Sequence, residues 1–144
     1  MRKHFEFRET AVTIEADDRY IPIAEEAMLD ARAQIEEYIV RDDFFRTTFD
    51  PYPLRTNMSE VVKRMCVASE KANVGPMATV AGAIAEEAVL RMVKAGCTHC
   101  LVDNGGDIAM RTSRSVTVGL YAGEAQPQYL GMEVPASKGL LGIC

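Results

Sequence analysis

The sequence predicts an α+β fold, with a mainly antiparallel sheet and helices packed on one face. Segments with helical periodicity occupy the middle of the chain, and segments rich in β-forming residues lie before and after them. An Asn-Gly-Gly turn joins two of the later segments as a hairpin, so antiparallel pairing is expected. With 144 residues and 48% hydrophobic content, the chain fits a single domain, residues 1–144, with its own core.

The N-terminal half is predicted to hold a strand region, one long helix and a loop. Residues 4–16 alternate apolar and charged side chains, with a bend near residues 9–11 that would divide the strand in two. A helix is predicted over 21–41, because Pro22 suits a first turn and apolar residues recur every four positions after it. Residues 42–58 show no period, and we interpret them as a loop held to the core by its aromatic residues rather than as a functional loop.

The second half is predicted to begin with two further helices. The first is capped by Asn57 or Ser59, with Glu60 placed to complete a capping box on Asn57, and runs to about residue 72. The next opens near Pro76 and continues to residue 95, with Gly96 closing it at C′. Strands are then predicted over 98–102, 107–112, 115–121 and 128–134.

Composition excludes several classes of function. The net charge of −5 and the scattered basic residues argue against a nucleic-acid partner, which would need a basic surface. No apolar run approaches the roughly 20 residues that cross a bilayer, and no signal-peptide core follows the N-terminus, so a cytoplasmic protein is expected. In that setting the four cysteines are expected to be free thiols. The Cys97-x-x-Cys100 spacing spans a helix-to-strand junction, which favours a structural role over a redox motif.

The start of the third helix, residues 73–82, is the first candidate site. Gly75 allows a sharp turn and Pro76 presets the first helical turn, after which backbone N–H groups point outward without partners. Such an end binds anions. The alternative is that the Gly-Pro pair only begins a helix and that the small residues behind it only allow close packing.

The hairpin turn, residues 103–107, is the second candidate site. Asn104-Gly105 is a strong turn signal, because both central residues must adopt positive φ, and Gly106 adds room for a bulge or a ligand. A hairpin does not require the acids that flank it. Asp103 and Asp107 could accept hydrogen bonds from a ligand or help to hold a hard cation, or they are solvated turn residues.

Taken together, the motifs at residues 74–86 and 102–108 resemble the short bacterial and archaeal branch of the ApbE-like superfamily. The similarity also includes residues 7–10, 118–123 and 142–144. The better-known members are FAD-dependent protein FMN transferases. The resemblance implies a T-fold-like arrangement and a flavin site between the helix start and the hairpin. Matched residue by residue, it implies that the cofactor-binding residues are Gly75, Met77, Ala78, Thr79, Asn104, Gly105, Gly106 and Asp107.

The resemblance also implies a magnesium ion bound in part by the backbone carbonyl of Ala78. Two departures from the superfamily qualify this expectation. Thr79 stands where the transferases have lysine, which removes a cation that could offset phosphate charge. The superfamily also continues past the match to Cys144, so we expect a domain that is incomplete at its C-terminus and holds half a metal site. An exposed sheet edge would then favour homo-oligomers or association with the absent part.

Three functions follow as hypotheses. The first is binding of a flavin or related nucleotide with a divalent metal, leading to FMN transfer. The second, motivated by Thr79, is a non-catalytic ligand-binding or assembly module that keeps the fold without transfer chemistry. The third is a T-fold enzyme acting on a pterin or purine, for which Glu86 or Asp107 could anchor the heterocycle.

Overall fold

A computed structural model describes residues 1–7, 10–121, 123 and 129–144 as an α+β fold. Its four α-helices are α1 (Ile21–Arg41), α2 (Asp43–Thr47), α3 (Glu60–Ala72) and α4 (Val80–Lys94). Its strands are β1 (Arg2–Phe7), β2 (Thr10–Glu15), β3 (Cys100–Asn104), β4 (Asp107–Thr112), β5 (Val116–Tyr121), β6 (Tyr129–Val134) and β7 (Ser137–Ile143). A 3₁₀ turn, Asp18–Tyr20, precedes α1, and another, Pro76–Thr79, precedes α4.

Five strands form an antiparallel sheet in the order β1-β2-β3-β4-β7, and β5 pairs with β6 as a separate antiparallel ribbon. The main core lies between one face of the sheet and the helices, with α4 against β3 and β4. Alternation along β3 decides which side chains enter it: Cys100 and Val102 face the helices, whereas Leu101 faces away. The predicted helix-on-sheet arrangement is therefore confirmed.

The other face of the sheet carries a small second core. Met110 of β4 packs there with Val118 of β5 and Val134 of β6, and β7 contributes Leu141 and Ile143. The β5-β6 ribbon therefore covers part of the face that the helices leave open. No helix among the described residues is long and apolar enough to cross a bilayer.

Most of the predicted helix ends agree with the structure, but the N-termini of α3 and α4 differ from the prediction. Helix α1 spans the predicted residues 21–41, and Gly96 follows α4 with a φ of +99°. The capping box is absent, because Ser59 is the N-cap and Glu60 is the first helical residue, where it pairs with Lys63 at 2.7 Å. The third predicted helix begins as the 3₁₀ turn before it becomes α4.

Two strand predictions also need correction. Strand β7 was not predicted, and β3 begins two residues later than expected, at Cys100. The hairpin register is shifted by one residue: the two turn residues are Gly105 (φ +65°) and Gly106 (φ +103°), whereas Asn104 ends β3 and pairs with Asp107. Two glycines satisfy the positive φ values at less steric cost than Asn104 would. The predicted division of the N-terminal strand is confirmed, because β1 ends at Phe7 and β2 begins at Thr10. Of the bend predicted at residues 9–11, residue 9 lies outside the described residues.

The segment 42–58 is held to the core by aromatic residues, as predicted, but it includes the short helix α2. Phe45 is fully buried and its ring meets those of Tyr38 and Tyr52 edge-on, at centroid distances of 4.9 and 5.1 Å. The other two phenylalanines do not take part in this way: Phe44 is 62% and Phe49 is 91% exposed. Phe45 and Tyr52 therefore supply the buried rings that hold the segment to the core.

A hydrogen-bonded network that includes Tyr52 and Asp42 makes the free energy of unfolding depend on pH. Tyr52 donates its hydroxyl to Asp42 Oδ2 at 2.5 Å, and this bond holds the pKa of Asp42 below its usual range. Burial, followed by the same bond, raises the pKa of Tyr52. Arg55 adds an ion pair to Asp42 at 3.3 Å. Because the pKa of Asp42 is lowered in the fold, ionised Asp42 stabilises the fold at pH values above its unfolded pKa of about 3.9. Because the pKa of Tyr52 is raised, protonated Tyr52 stabilises the fold at pH values below its unfolded pKa of about 10.

We expect Tyr52→Phe to lower the urea midpoint of unfolding throughout the range between those two pKa values. The difference from the wild type should narrow as the pH falls below about 4, because protonation of Asp42 weakens the bond that the variant lacks. Urea titrations near neutral pH and at acidic pH measure this directly. Thr47→Val, on the exposed face of α2, serves as the control. A difference that stays constant into acid would contradict the assignment.

Candidate functional site

A cavity of about 650 Å³ lies where α3, α4, β4 and β7 meet. This volume falls within the range of small-molecule sites. Helix α3 contributes Arg64, Ala68 and Ala72, which recur every four residues on one helical face. Strand β7 contributes the residues from Leu140 onward. The wall is mostly apolar, with a few polar groups at separate positions, which is the usual character of a ligand site.

The predicted helix start contributes only part of its residues to the cavity. Ala78 and Thr79 line it. Gly75 is buried elsewhere, because a Cβ there would overlap the carbonyl oxygen of Thr48 in the 42–58 segment. Met77 packs against the main core. Gly75 has an ordinary φ of −67°, so this glycine is required by close packing rather than by backbone conformation.

Fewer free donors remain at this helix start than the sequence suggested. Within the 3₁₀ turn, the N–H of Ala78 donates to the carbonyl of Gly75 at 3.1 Å, and the N–H of Val80 donates to that of Met77. The hydroxyl of Thr79 donates to the carbonyl of Pro76 at 2.8 Å and lies 3.3 Å from that of Met65. These groups are therefore already used inside the protein.

The hairpin contributes Asp107 to the cavity and holds its other residues away from it. Gly105 and Gly106 form the exposed turn. Asn104 is 4% exposed and donates its side-chain amide to the carbonyl of Ala81 at 3.0 Å, which ties the hairpin to the start of α4. Asp103 accepts from the N–H of Gly106 at 2.9 Å. Asp103 is therefore a turn residue, and Asp107 is the acid available to a ligand.

Sequence reasoning placed Gly82 in the first candidate segment only as a small packing residue, and it named Glu86 only as one of two possible anchors for a heterocycle. Both lie on α4 and line the cavity: Gly82 is one helical turn beyond Ala78, and Glu86 is one turn beyond Gly82. A Cβ added to Gly82 would meet no atom within 4 Å. The four-residue spacing of these three positions was the available signal, but it could not show which element faced them.

Glu86 and Asp107 differ from the other charged residues around the cavity. Their carboxylates have no hydrogen bond or ion pair within the part of the chain that the structure describes. Arg64, in contrast, binds Glu87 through Nη2, and Arg91 binds the other oxygen of Glu87 at 3.1 Å. The cavity therefore has two available acceptor groups and an arginine that is ion-paired through Nη2, whereas its buried Nε has no hydrogen-bond partner among the described residues.

The described residues do not supply a complete metal centre. They contain no group of three or more His, Cys, Asp and Glu side chains placed to hold a metal ion. Magnesium is commonly bound by one or two carboxylates together with phosphates and water. The backbone carbonyl of Ala78 would need ligands of that kind, so the described residues alone do not fit the ion.

The Cys97-x-x-Cys100 pair is structural, as predicted. Both thiols are free and buried, as is Cys66, whereas Cys144 is exposed. Burial, with the neighbouring Cys97, raises the pKa of Cys100 to about 12. A thiol with so high a pKa is a poor nucleophile near neutral pH.

Comparisons with known proteins show which family the chain belongs to. A family model described as AbpE bacteria matches residues 1–144. The chain is 44% identical to the UPF0280 protein of Methanocella arvoryzae, 44% to that of Methanococcoides burtonii and 46% to that of Methanosarcina acetivorans. Each alignment covers 100% of this chain but 60%, 61% and 57% of the respective relative, so the chain spans about three fifths of their length. The chain belongs to the AbpE bacteria family.

Proposed function

We propose that this protein binds a flavin or a related nucleotide in the cavity between α3, α4, β4 and β7. The observation that carries the proposal is Gly82. A glycine inside a helix costs roughly 0.5–1 kcal/mol relative to alanine. Neither a positive φ nor a close neighbour requires it here, because its Cβ would enter open space. The missing side chain keeps the cavity open, which favours a ligand-binding role.

The lining of the cavity supports a largely apolar ligand. Ala68, Ala83, Ala109 and Leu140 supply apolar wall on α3, α4, β4 and β7. The resemblance of residues 74–86 and 102–108 to the ApbE-like superfamily adds flavin as the ring system. FMN transfer from FAD, with magnesium held at the Ala78 carbonyl and by the ligand, is the catalytic form of this proposal. If such an ion bound, the Ala78 carbonyl would be one of its ligands and the ion would supply positive charge during transfer.

A non-catalytic binding or assembly module is the second candidate. Thr79 supports it, because its hydroxyl is held by Pro76 and it supplies no positive charge where the transferases have lysine. Transfer chemistry without that cation depends more heavily on a metal ion. Incubation with FAD, magnesium and candidate acceptor proteins distinguishes the two functions, since covalent FMN on an acceptor, detected by mass spectrometry, rules out the module.

Filling the cavity at Gly82 tests the binding proposal. We expect Gly82→Leu to weaken binding of FAD at least about tenfold, because the side chain occupies the space of the ligand. Flavin fluorescence titrations, with and without magnesium, measure the dissociation constant. Circular dichroism checks that the variant folds, and Val67→Leu on the exposed surface of α3 is the control. Absence of flavin binding by the wild type, or equal binding by Gly82→Leu, would contradict the proposal.

A further inference from the structure

We infer that His99 is a pH-sensitive switch: its neutral ring holds the turn at residues 113–115, which leads from β4 into the β5-β6 ribbon, and its protonation releases that turn. His99 lies between α4 and β3, and its side chain is 18% exposed, so its ring can exchange a proton with water. Neither His99 nor the turn is among the described residues that line the cavity. The inference therefore does not depend on the proposed function.

The two ring nitrogens of His99 have different roles. The backbone N–H of Ser113 donates to Nδ1 at 3.3 Å. Nδ1 must therefore carry a lone pair, which places the proton of the neutral ring on Nε2. Nε2 lies 3.9 Å from Oε1 of Glu15, on β2. A protonated ring has a hydrogen on both nitrogens and accepts nothing, so protonation exchanges the bond from Ser113 for an ion pair with Glu15.

The charged groups around His99 come from several elements. Glu15 attracts a protonated ring. Arg2 of β1 is the strand partner of Glu15, and Arg111 lies on β4, in the strand that leads into the turn, so both arginines oppose a further positive charge. The thiol of Cys97 donates to the backbone carbonyl of His99 at 3.3 Å and holds its main chain in place. Histidine changes charge between about pH 5 and 8, so the exchange is expected in that range.

The turn that Ser113 begins is the direct connection between the five-stranded sheet and the ribbon. Strand β4 ends at Thr112 and β5 begins at Val116. Among the described strands, neither β5 nor β6 pairs with the sheet. The ribbon is held instead through the small second core around Met110. Because a two-stranded ribbon is only marginally stable by itself, losing the bond to Ser113 should loosen its contact with Met110.

Amide hydrogen exchange at Ser113, followed by NMR on the full chain, tests the switch. The measurements are made at about pH 5 and about pH 8, the ends of the range in which histidine titrates, and the rates are corrected for the intrinsic effect of pH on exchange. We expect protection of Ser113 to be about fivefold lower at the acidic pH, the factor that one hydrogen bond contributes. The methyl resonance of Met110 should shift over the same pH range as the ring of His99.

Three variants separate His99 from His4, the other histidine of the chain. His99→Asn offers an acceptor oxygen that does not titrate, so protection of Ser113 should stay high at both pH values. His99→Phe offers no acceptor, so protection should be low at both. His4→Asn is the matched control and should keep the wild-type response. Circular dichroism checks that each variant folds.

Several results would overturn the inference. In the wild type, these are unchanged protection of Ser113 between the two pH values, or a proton on Nδ1 of His99 at the alkaline pH. An equal pH response in His99→Asn would assign the effect to another group. Loss of protection at Ser113 with no shift at Met110 would show that the turn does not control the ribbon.

Discussion

Gly75→Ala should lower the free energy of unfolding by about 3 kcal/mol, within the upper range for overpacking a close contact. The added Cβ would overlap the carbonyl oxygen of Thr48 and lie 3.0 Å from the Cα of Phe49. Both neighbours are backbone atoms, so no side chain can rotate to make room. The segment 42–58 would have to move away from the start of α4. Urea unfolding followed by circular dichroism measures the loss.

Gly82→Ala is the matched control, since it adds the same methyl group to a glycine seven residues later in the chain. Its Cβ meets nothing within 4 Å and its backbone is helical, so we expect stability to rise by up to about 1 kcal/mol. A loss of stability at Gly75 and a gain at Gly82 would show that packing requires the first glycine, whereas the second keeps a cavity open. Equal losses at both would contradict this distinction.

Phe45→Ala should cost about 3–5 kcal/mol of unfolding free energy, the range for removing a buried aromatic ring. Phe45 is 0% exposed and packs edge-on against Tyr38 of α1 and against Tyr52. Its loss would leave a void between α1 and the segment 42–58. Thermal unfolding by calorimetry measures the change through a lower midpoint temperature.

Phe49→Ala provides the comparison, because the two rings lie four residues apart and differ in burial. Phe49 is 91% exposed, so its removal should change stability by no more than about 0.5 kcal/mol. A large loss at this position would mean that Phe49 is covered in solution. A small loss at Phe45 would mean that the segment is not fixed through its ring.

Local signals explain why α1 could be predicted at both ends. Pro22 presets the first turn, and the apolar repeat that follows buries Ala27, Ala31 and Ile35. These preferences act within a few residues of chain, so they are visible without the fold. Local signals predicted only part of the hairpin. The sequence Asn104-Gly105-Gly106 predicted a turn, but it was compatible with two strand registers. In the observed register, Asn104 donates a long-range hydrogen bond to the carbonyl of Ala81.

Strand β7 illustrates what local signals miss. Residues 137–143 include two glycines and no regular alternation, so their pattern did not predict a strand. They become one because β4 offers an edge, with a register shift between Met110 and Thr112 that accommodates the pairing. Sheet pairing joins residues distant in sequence, and its free energy is not written in either segment alone.

The sequence by itself determined the fold class, the extents of α1 and α3, and the two motifs beside which the cavity lies. Tertiary structure decided which motif residues face that cavity. It directed Gly75 against Thr48 and Asn104 toward Ala81, and it left Ala78, Thr79 and Asp107 on the wall. It also placed Gly82 and Glu86 on that wall. The physical reason is that a cavity is the space between elements, so its lining depends on how α3, α4, β4 and β7 pack and not on the residues of any one of them.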